Sequence, residues 1–183
     1  METQQVTKKL EGGPPKVSAL NGKRPEEEGI RVLTHIREVK FPKLSAAAIW
    51  NKVESSELSE IYDKANELVS GSNYSVRDVE DFCQQIKQFQ RDENFSYKAG
   101  LIISAMINSG MDDGYTVNTT LYNKKLTLLG YKNVKNIKVI GDVGDGFASL
   151  MEDGSITVEG SVHGNVGDGM SGGEIYINEN VFG

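Results

Sequence analysis

Candidate catalytic side chains occur close together in the last third of the chain. His163 is two residues from Ser161, and Asp142 and Asp168 lie in the same region. Serine, histidine and aspartate form hydrolytic triads, in which the histidine takes the serine proton and the carboxylate orients the imidazole. The segment lacks a nucleophile-elbow motif that would bring them together. We therefore expect a surface turn histidine and no catalytic residues, and an independent enzyme with an interface active site around His163 is the alternative.

The remaining metal-binding and nucleophilic residue types are isolated. Cys83 is the only cysteine, which excludes an intrachain disulfide and indicates a reducing, cytoplasmic compartment. It lies at helical spacing with Val79 and Ile86, which is typical of a small buried apolar side chain. His35 has no second ligand nearby in the sequence. We expect no metal site and no cofactor.

Glycines and aspartates recur together near the end of the chain, in residues 141–146 and 164–169. A dinucleotide-binding loop has a different glycine spacing and precedes a helix, and no amphipathic helix pattern follows either copy. Calcium-loading β-rolls have a nine-residue period, which this segment lacks. We interpret these glycines as structural turns.

Composition and charge place the chain among globular proteins. It has 183 residues, of which 38 % are hydrophobic and 25 % are charged, and a net charge of −6. No apolar run approaches the ~20 residues that span a bilayer, and we expect no secretory signal. The net charge is divided unevenly: residues 1–138 carry +2, and the 45 residues after Lys138 carry −8. We expect neither nucleic-acid nor membrane binding.

The chain divides into three parts. Residues 1–28 have no apolar periodicity and predict a disordered tail. Residues 29–114 are predicted to be mainly helical. Their first element is one predicted strand, Ile30–Phe41, which ends at Pro42. Residues 115–183 form the third part, in which Tyr115–Leu129 favours strand over helix.

Four segments of the second part show helical spacing of apolar residues. Ser45, Ser56 and Ser75 are placed to cap the first three. The fourth, residues 97–110, is apolar nearly all round and contains small residues that allow a close neighbour. We expect it at the centre of a helical domain or on a surface for another subunit.

The last third repeats every nineteen residues, and the rows begin at Ile137, Ile156 and Ile175. Within each row, alternate residues point to opposite sides of a strand, so stacked rows form ladders of like side chains. This pattern predicts a parallel β-helix of two and a half coils. The aligned sets are Ile137, Ile156 and Ile175; Val139, Val158 and Ile177; and Val143, Val162 and Val181; with the pairs Met151 and Met170, and Gly154 and Gly173.

Glycine marks the turns between these strands, where a positive φ or a close backbone excludes larger residues. The predicted turn glycines are Gly141, Gly144, Gly146, Gly154, Gly160, Gly164, Gly167, Gly169, Gly172 and Gly173.

The alternation of G-x-x-G-x-G with Met-x-x-Gly-x-Ile-x-Val-x-Gly, which begins at Gly141 and Met151, resembles the GXGXG β-helix domain. That domain forms the C-terminus of glutamate synthase large subunits and one of the subunits of formylmethanofuran dehydrogenases. The resemblance covers residues 126–183 and implies a right-handed β-helix without catalytic residues, which acts as a scaffold in an oxidoreductase complex. The expected fold class is therefore α+β, with a small N-terminal helical domain followed by a short right-handed parallel β-helix.

The last half-coil leaves an apolar ladder and strand edges open. We expect another protein subunit to cover Tyr176, Ile177, Val181 and Phe182, either in a homo-oligomer or in a larger oxidoreductase complex. The leading prediction is a non-catalytic assembly subunit. A self-assembling structural protein that stacks through open ends is a further alternative.

Overall fold

The computed structural model describes residues 43–54 and 57–183. The predicted tail 1–28, the predicted strand Ile30–Phe41 and Ser56 lie outside these residues. Within the described ranges the α-helices are α1 (Ala46–Lys52), α2 (Leu58–Val69), α3 (Val76–Gln85) and α4 (Phe95–Asn108), with short 3-10 helices at Ile86–Phe89 and Thr119–Leu121.

Two of the predicted helix caps are confirmed. The Ser45 side chain accepts a hydrogen bond from the Ala48 N–H, and Ser75 forms a capping box with Asp78 at the start of α3. Helix α2 begins at Leu58, with Glu57 at the N-cap position. Helix α4 begins at Phe95, two residues earlier than the sequence predicts.

Helix α4 is buried along most of its length and packs against α2. Its small residues face the chain that follows it: a Cβ on Gly100 would lie 2.0 Å from the Thr127 carbonyl oxygen. The buried Ser104 hydroxyl accepts hydrogen bonds from the N–H groups of Gly130 and Tyr131, at 2.9 and 3.2 Å. The neighbour that the small residues of α4 admit is therefore a later part of this chain.

Residues 114–183 form a parallel β-solenoid. Its strands are β1 (Gly114–Asn118), β2 (Asn136–Ile140), β3 (Ser155–Glu159), β4 (Val162–His163), β5 (Glu174–Ile177) and β6 (Val181–Phe182). One parallel sheet has the order β1-β2-β3-β5, and a second pairs β4 with β6. Residues nineteen apart lie opposite each other in the β2–β3, β3–β5 and β4–β6 pairs, which confirms the predicted register.

The solenoid contains one coil more than the two and a half that the repeat predicts. Gly114 pairs with Asn136, a step of 22 residues, so three complete coils begin at residues 114, 136 and 155 and a partial one begins at 174. The short 3-10 helix Thr119–Leu121 follows β1 within the longer first coil. Because the step from β1 to β2 is 22 residues, a search for a nineteen-residue repeat does not detect this coil.

Ladders of apolar side chains fill the solenoid, and they join the helical core. Ile137 and Ile156 are buried, as are Val139 and Val158, and they belong to the same hydrophobic cluster as α4. Outward-facing Lys138 alternates with them, as the pattern predicts. Helices and coils therefore share one core in the part of the chain that the structure describes.

Glycine is required where coils approach closely. A Cβ on Gly160 would lie 2.6 Å from the carbonyl carbon and oxygen of Gly141, one coil below. Gly141 itself has a φ of 102°, a conformation that residues with a Cβ rarely adopt. Backbone stacking and turn geometry thus both exclude larger side chains at these turns.

The helices cover the N-terminal end of the solenoid. The Thr127 N–H donates to the Ser96 carbonyl of α4, whereas the neighbouring Leu128 N–H donates to Asp145 in the second coil. Alternate backbone groups of the first coil therefore bond to α4 on one side and to the second coil on the other. Helix α3 packs against β1, the edge strand of the larger sheet.

Candidate functional site: the open end of the solenoid

The last coil exposes side chains that the earlier coils bury. Val143 and Val162 are fully buried, and Val181, the next member of the same ladder, is 55 % exposed. Phe182 is 48 % exposed, and Tyr176, which faces outward as Lys138 and Thr157 do in the earlier coils, is 52 % exposed. We call the surface formed by β5, β6 and these side chains the open end of the solenoid.

The open end also presents strand edges. Strand β5 pairs with β3 and strand β6 pairs with β4, and within residues 43–54 and 57–183 neither has a partner on its other edge. An edge strand offers its free N–H and C=O groups to any chain that can pair with it. The open end therefore combines apolar side chains with an unsatisfied β-ladder.

The four predicted interface residues lie at the open end in two orientations. Ile177 and Val181 both continue inward ladders, but Ile177 is half-buried whereas Val181 is exposed. Tyr176 faces outward, opposite Thr157, and Phe182 is exposed opposite His163. The Tyr176 hydroxyl donates to the Glu174 carboxylate at 2.7 Å, and this bond raises the pKa of Tyr176.

His163 lies beside the open end and contacts its last strand. The imidazole stacks on the Phe182 ring with centroids 4.7 Å apart, and its Nε2 is 3.4 Å from Asp142 Oδ2. The other Asp142 oxygen accepts the Ser161 N–H at 2.9 Å, which is the main cause of the lowered pKa of Asp142. The stacking was missed in the sequence analysis, although His163 and Phe182 are nineteen residues apart and so lie opposite each other in the repeat.

The structure does not assemble a triad from these residues. The Ser161 hydroxyl donates to Glu179 at 3.0 Å and is itself buried. Among the described residues, no hydrogen bond joins Ser161 or Asp168 to the His163 imidazole. A serine nucleophile must lie within hydrogen-bond reach of its base, so this geometry gives the imidazole no hydroxyl to activate.

A second place for chemistry is a cleft of about 410 Å³ between α3 and β1. Glu80 and Cys83 line it from the helix and Thr116 from the strand. Burial raises the pKa of the Cys83 thiol to about 12, so the thiol stays protonated at neutral pH and is a poor nucleophile. The cleft is therefore lined by carboxylate and amide side chains but contains no activated nucleophile.

Neither a metal cluster nor a membrane span is found in the described ranges. They contain no group of three or more histidine, cysteine or carboxylate side chains that could hold a metal ion. Asp145, one of the aspartates next to the turn glycines, instead accepts the Asn165 N–H at 2.7 Å. None of the described helices is long and apolar enough to cross a bilayer.

The open end is acidic. Its last coil carries Glu174 and Glu179 and no lysine or arginine, and Asp168 lies in the coil before it. The salt bridges of the solenoid lie in the coils below: Lys138 with Glu159 at 2.8 Å, and Lys125 with Asp142 at 3.9 Å. Glu174 and Glu179 accept hydrogen bonds from neutral hydroxyls, which leaves their charges uncompensated.

Comparison of the chain with protein-family models, with curated proteins and with solved structures finds no match. The resemblance to the GXGXG β-helix domain therefore stays a prediction from the sequence, and so does the right-handed sense of the coil.

Proposed function

We propose that this chain is a non-catalytic assembly subunit that binds another protein through the open end of its solenoid. The observation that carries the proposal is the loss of burial along one ladder, from Val143 and Val162 to Val181. Each coil of a solenoid buries its apolar face against its neighbours, and within residues 43–54 and 57–183 the last coil has a neighbour on one side only. A docked subunit supplies a second neighbour and pairs the free edges of β5 and β6.

The resemblance to the GXGXG domain adds a host to this proposal, an oxidoreductase complex similar to glutamate synthase. Flavin absorbance or iron–sulfur signals in the material that co-purifies with the chain would support that host. If a stable complex lacked both signals, the oxidoreductase host would be contradicted, and the role as an assembly subunit would stand.

The test is affinity purification of the tagged full chain from its native source, with two matched variants. Val181→Asp places a charge at the open end, and Met111→Asp places the same charge at a side chain that is 62 % exposed elsewhere. We expect Val181→Asp to lose the co-purifying proteins and Met111→Asp to retain them. Equal retention by both variants contradicts the proposal, provided that circular dichroism shows both to be folded.

The alternative of an independent enzyme is favoured by one contact, the Asp142–His163 pair. A carboxylate that orients an imidazole is part of many hydrolytic sites. Turnover of simple ester or amide substrates by the purified chain, abolished by His163→Ala, would support this alternative. The bond from Ser161 to Glu179 is the reason that we place it second.

A further inference from the structure

We infer that the cleft between α3 and β1 is a binding site for a small primary amine with an apolar body. This inference goes beyond the assembly role, because β1 and β5 are opposite edges of the larger sheet and the cleft is therefore far from the open end. Each site can be altered and tested while the other stays intact.

The shape of the cleft is that of a small-molecule site. Glu80 and Gln84, one helical turn apart, line it from α3, and Thr116 lines it from β1. The half-buried Leu121 and Ile140 add apolar surface. Its volume of about 410 Å³ lies within the range of roughly 300–1,000 Å³ that is typical of such sites. The cleft therefore has room for a ligand with an apolar body.

Hydrogen bonds hold the two walls of the cleft in place. The Tyr122 hydroxyl, from the first coil, donates to the Cys83 carbonyl oxygen of α3 at 2.9 Å. The side-chain oxygen of Asn118, at the end of β1, accepts the N–H of Thr120 at 3.0 Å and its hydroxyl at 2.6 Å. Because these contacts order the walls in the free chain, a ligand loses little binding free energy to ordering them.

The charge of the cleft selects a cation. Glu80 and Asp81 are exposed at its edge, and within residues 43–54 and 57–183 neither forms a salt bridge. Lys138 lies opposite Thr116 in the sheet, but its amine already bonds to Glu159 at 2.8 Å. A cation in the cleft would give both carboxylates a charged hydrogen-bond donor.

The apolar lining favours an organic amine over a metal ion. Calcium takes about six to eight oxygen ligands, and the described ranges contain no group of three or more histidine, cysteine or carboxylate side chains that could hold a metal. A primary ammonium has three N–H donors, enough for Glu80 and Asp81 together. Its hydrocarbon part would then cover Leu121 and Ile140, which a metal ion leaves in water.

Two compounds that differ in one group test the inference on the full chain. Phenethylamine and 2-phenylethanol have the same apolar body, which carries an ammonium in the first and a hydroxyl in the second. Binding is followed by NMR through the amide signals of Gln84, Thr116 and Asn118, at concentrations up to about 20 mM. We expect the amine to bind about tenfold more tightly than the alcohol at low salt, as two exposed ion pairs would give. The difference should disappear near 1 M salt, where the screening length falls to about 3 Å.

Three variants locate the binding. Glu80→Gln combined with Asp81→Asn removes both charges and keeps the side-chain shapes, so the amine should bind no better than the alcohol. Glu67→Gln removes an exposed carboxylate of α2 and should leave the preference unchanged. Thr116→Lys places a tethered amine in the cleft and should compete with the ligand. Lys138 occupies the corresponding position of β2, so a lysine is compatible with the strand.

Every other outcome overturns the inference. Equal binding of the amine and the alcohol excludes a cationic ligand, and the absence of saturable shifts at the cleft with either compound excludes the site. Binding of lysine with both termini blocked, without binding of phenethylamine, identifies a lysine side chain of another protein as the occupant. None of these results bears on the assembly role, which Val181→Asp tests separately.

Discussion

The same substitution at two positions of one ladder should have very different costs. Val162 and Val181 occupy equivalent places in β4 and β6, and Val162 is fully buried whereas Val181 is 55 % exposed. Val→Ala removes two methylene-sized groups, worth about 1.6 kcal/mol when fully buried. The cavity left at residue 162 raises the cost of Val162→Ala to roughly 2–3 kcal/mol. Val181→Ala should cost about 0.7 kcal/mol, because half of its surface is already in water and no enclosed cavity forms.

The assay is urea unfolding of both variants, followed by circular dichroism at several protein concentrations. We expect the midpoint to fall about three times further for Val162→Ala, with little change in the slope of the unfolding free energy against urea. Equal losses would refute the reasoning. If both were large, Val181 would be buried in solution, and if both were small, the coils would not stack in the register described.

Three further predictions follow from contacts in the coils and in α3. Gly160→Ala should destabilise the fold by roughly 1–3 kcal/mol in urea unfolding, because its Cβ would lie 2.6 Å from the Gly141 backbone. Cys83 should resist alkylation at pH 8 in the folded chain, as followed by mass spectrometry, since burial raises its pKa to about 12. Hydrogen bonds from backbone N–H groups, that of Asn165 first, lower the pKa of Asp145, so its contribution to stability is present above about pH 4 and is lost as the pH falls through the folded-state value. Urea midpoints between about pH 5 and 3 should therefore fall less for Asp145→Asn than for the parent chain.

Each of these predictions has a control. Gly114→Ala introduces a Cβ whose nearest neighbour is 3.9 Å away, so it should change the stability little. Cys83 should react once urea unfolds the chain, which shows that the reagent is competent. The exposed Asp63 gives Asp63→Asn as the matched control for the pH series, and a parallel change in both variants would contradict the role of Asp145.

The coils were predictable where the repeat is regular. Apolar residues at a spacing of nineteen fix both the register and the inward side of β2, β3 and β5. The first coil could not be found in this way. It steps by 22 residues to β2, and two of its left-handed positions are occupied by Leu128 and Lys132, with φ of 57° and 51°, rather than by glycine. At these positions the turn is held by packing against α4 and the second coil, and no glycine marks it in the sequence.

The candidate site was predictable in part. The open ladder follows from the repeat, and it led to Tyr176, Val181 and Phe182. The bond from Ser161 to Glu179 did not follow, since it depends on side-chain directions in adjacent coils rather than on spacing. The face of α4 that covers the first coil did not follow either, because α4 is apolar nearly all round and the sequence gives it no preferred side.

The unequal burial of the coils has a consequence for motion. Coils that have two neighbours are held from both sides, whereas the last coil is held from one, so opening should begin at β5 and β6 and progress toward the helices. Amide hydrogens of Glu174–Ile177 should then exchange faster than those of Ser155–Glu159, which in turn should exchange faster than those of Asn136–Ile140. A partner bound at the open end would slow amide hydrogen exchange most in β5 and β6, where exchange is fastest in the free chain. Ordering of the last coil and binding of the partner would thus be thermodynamically coupled.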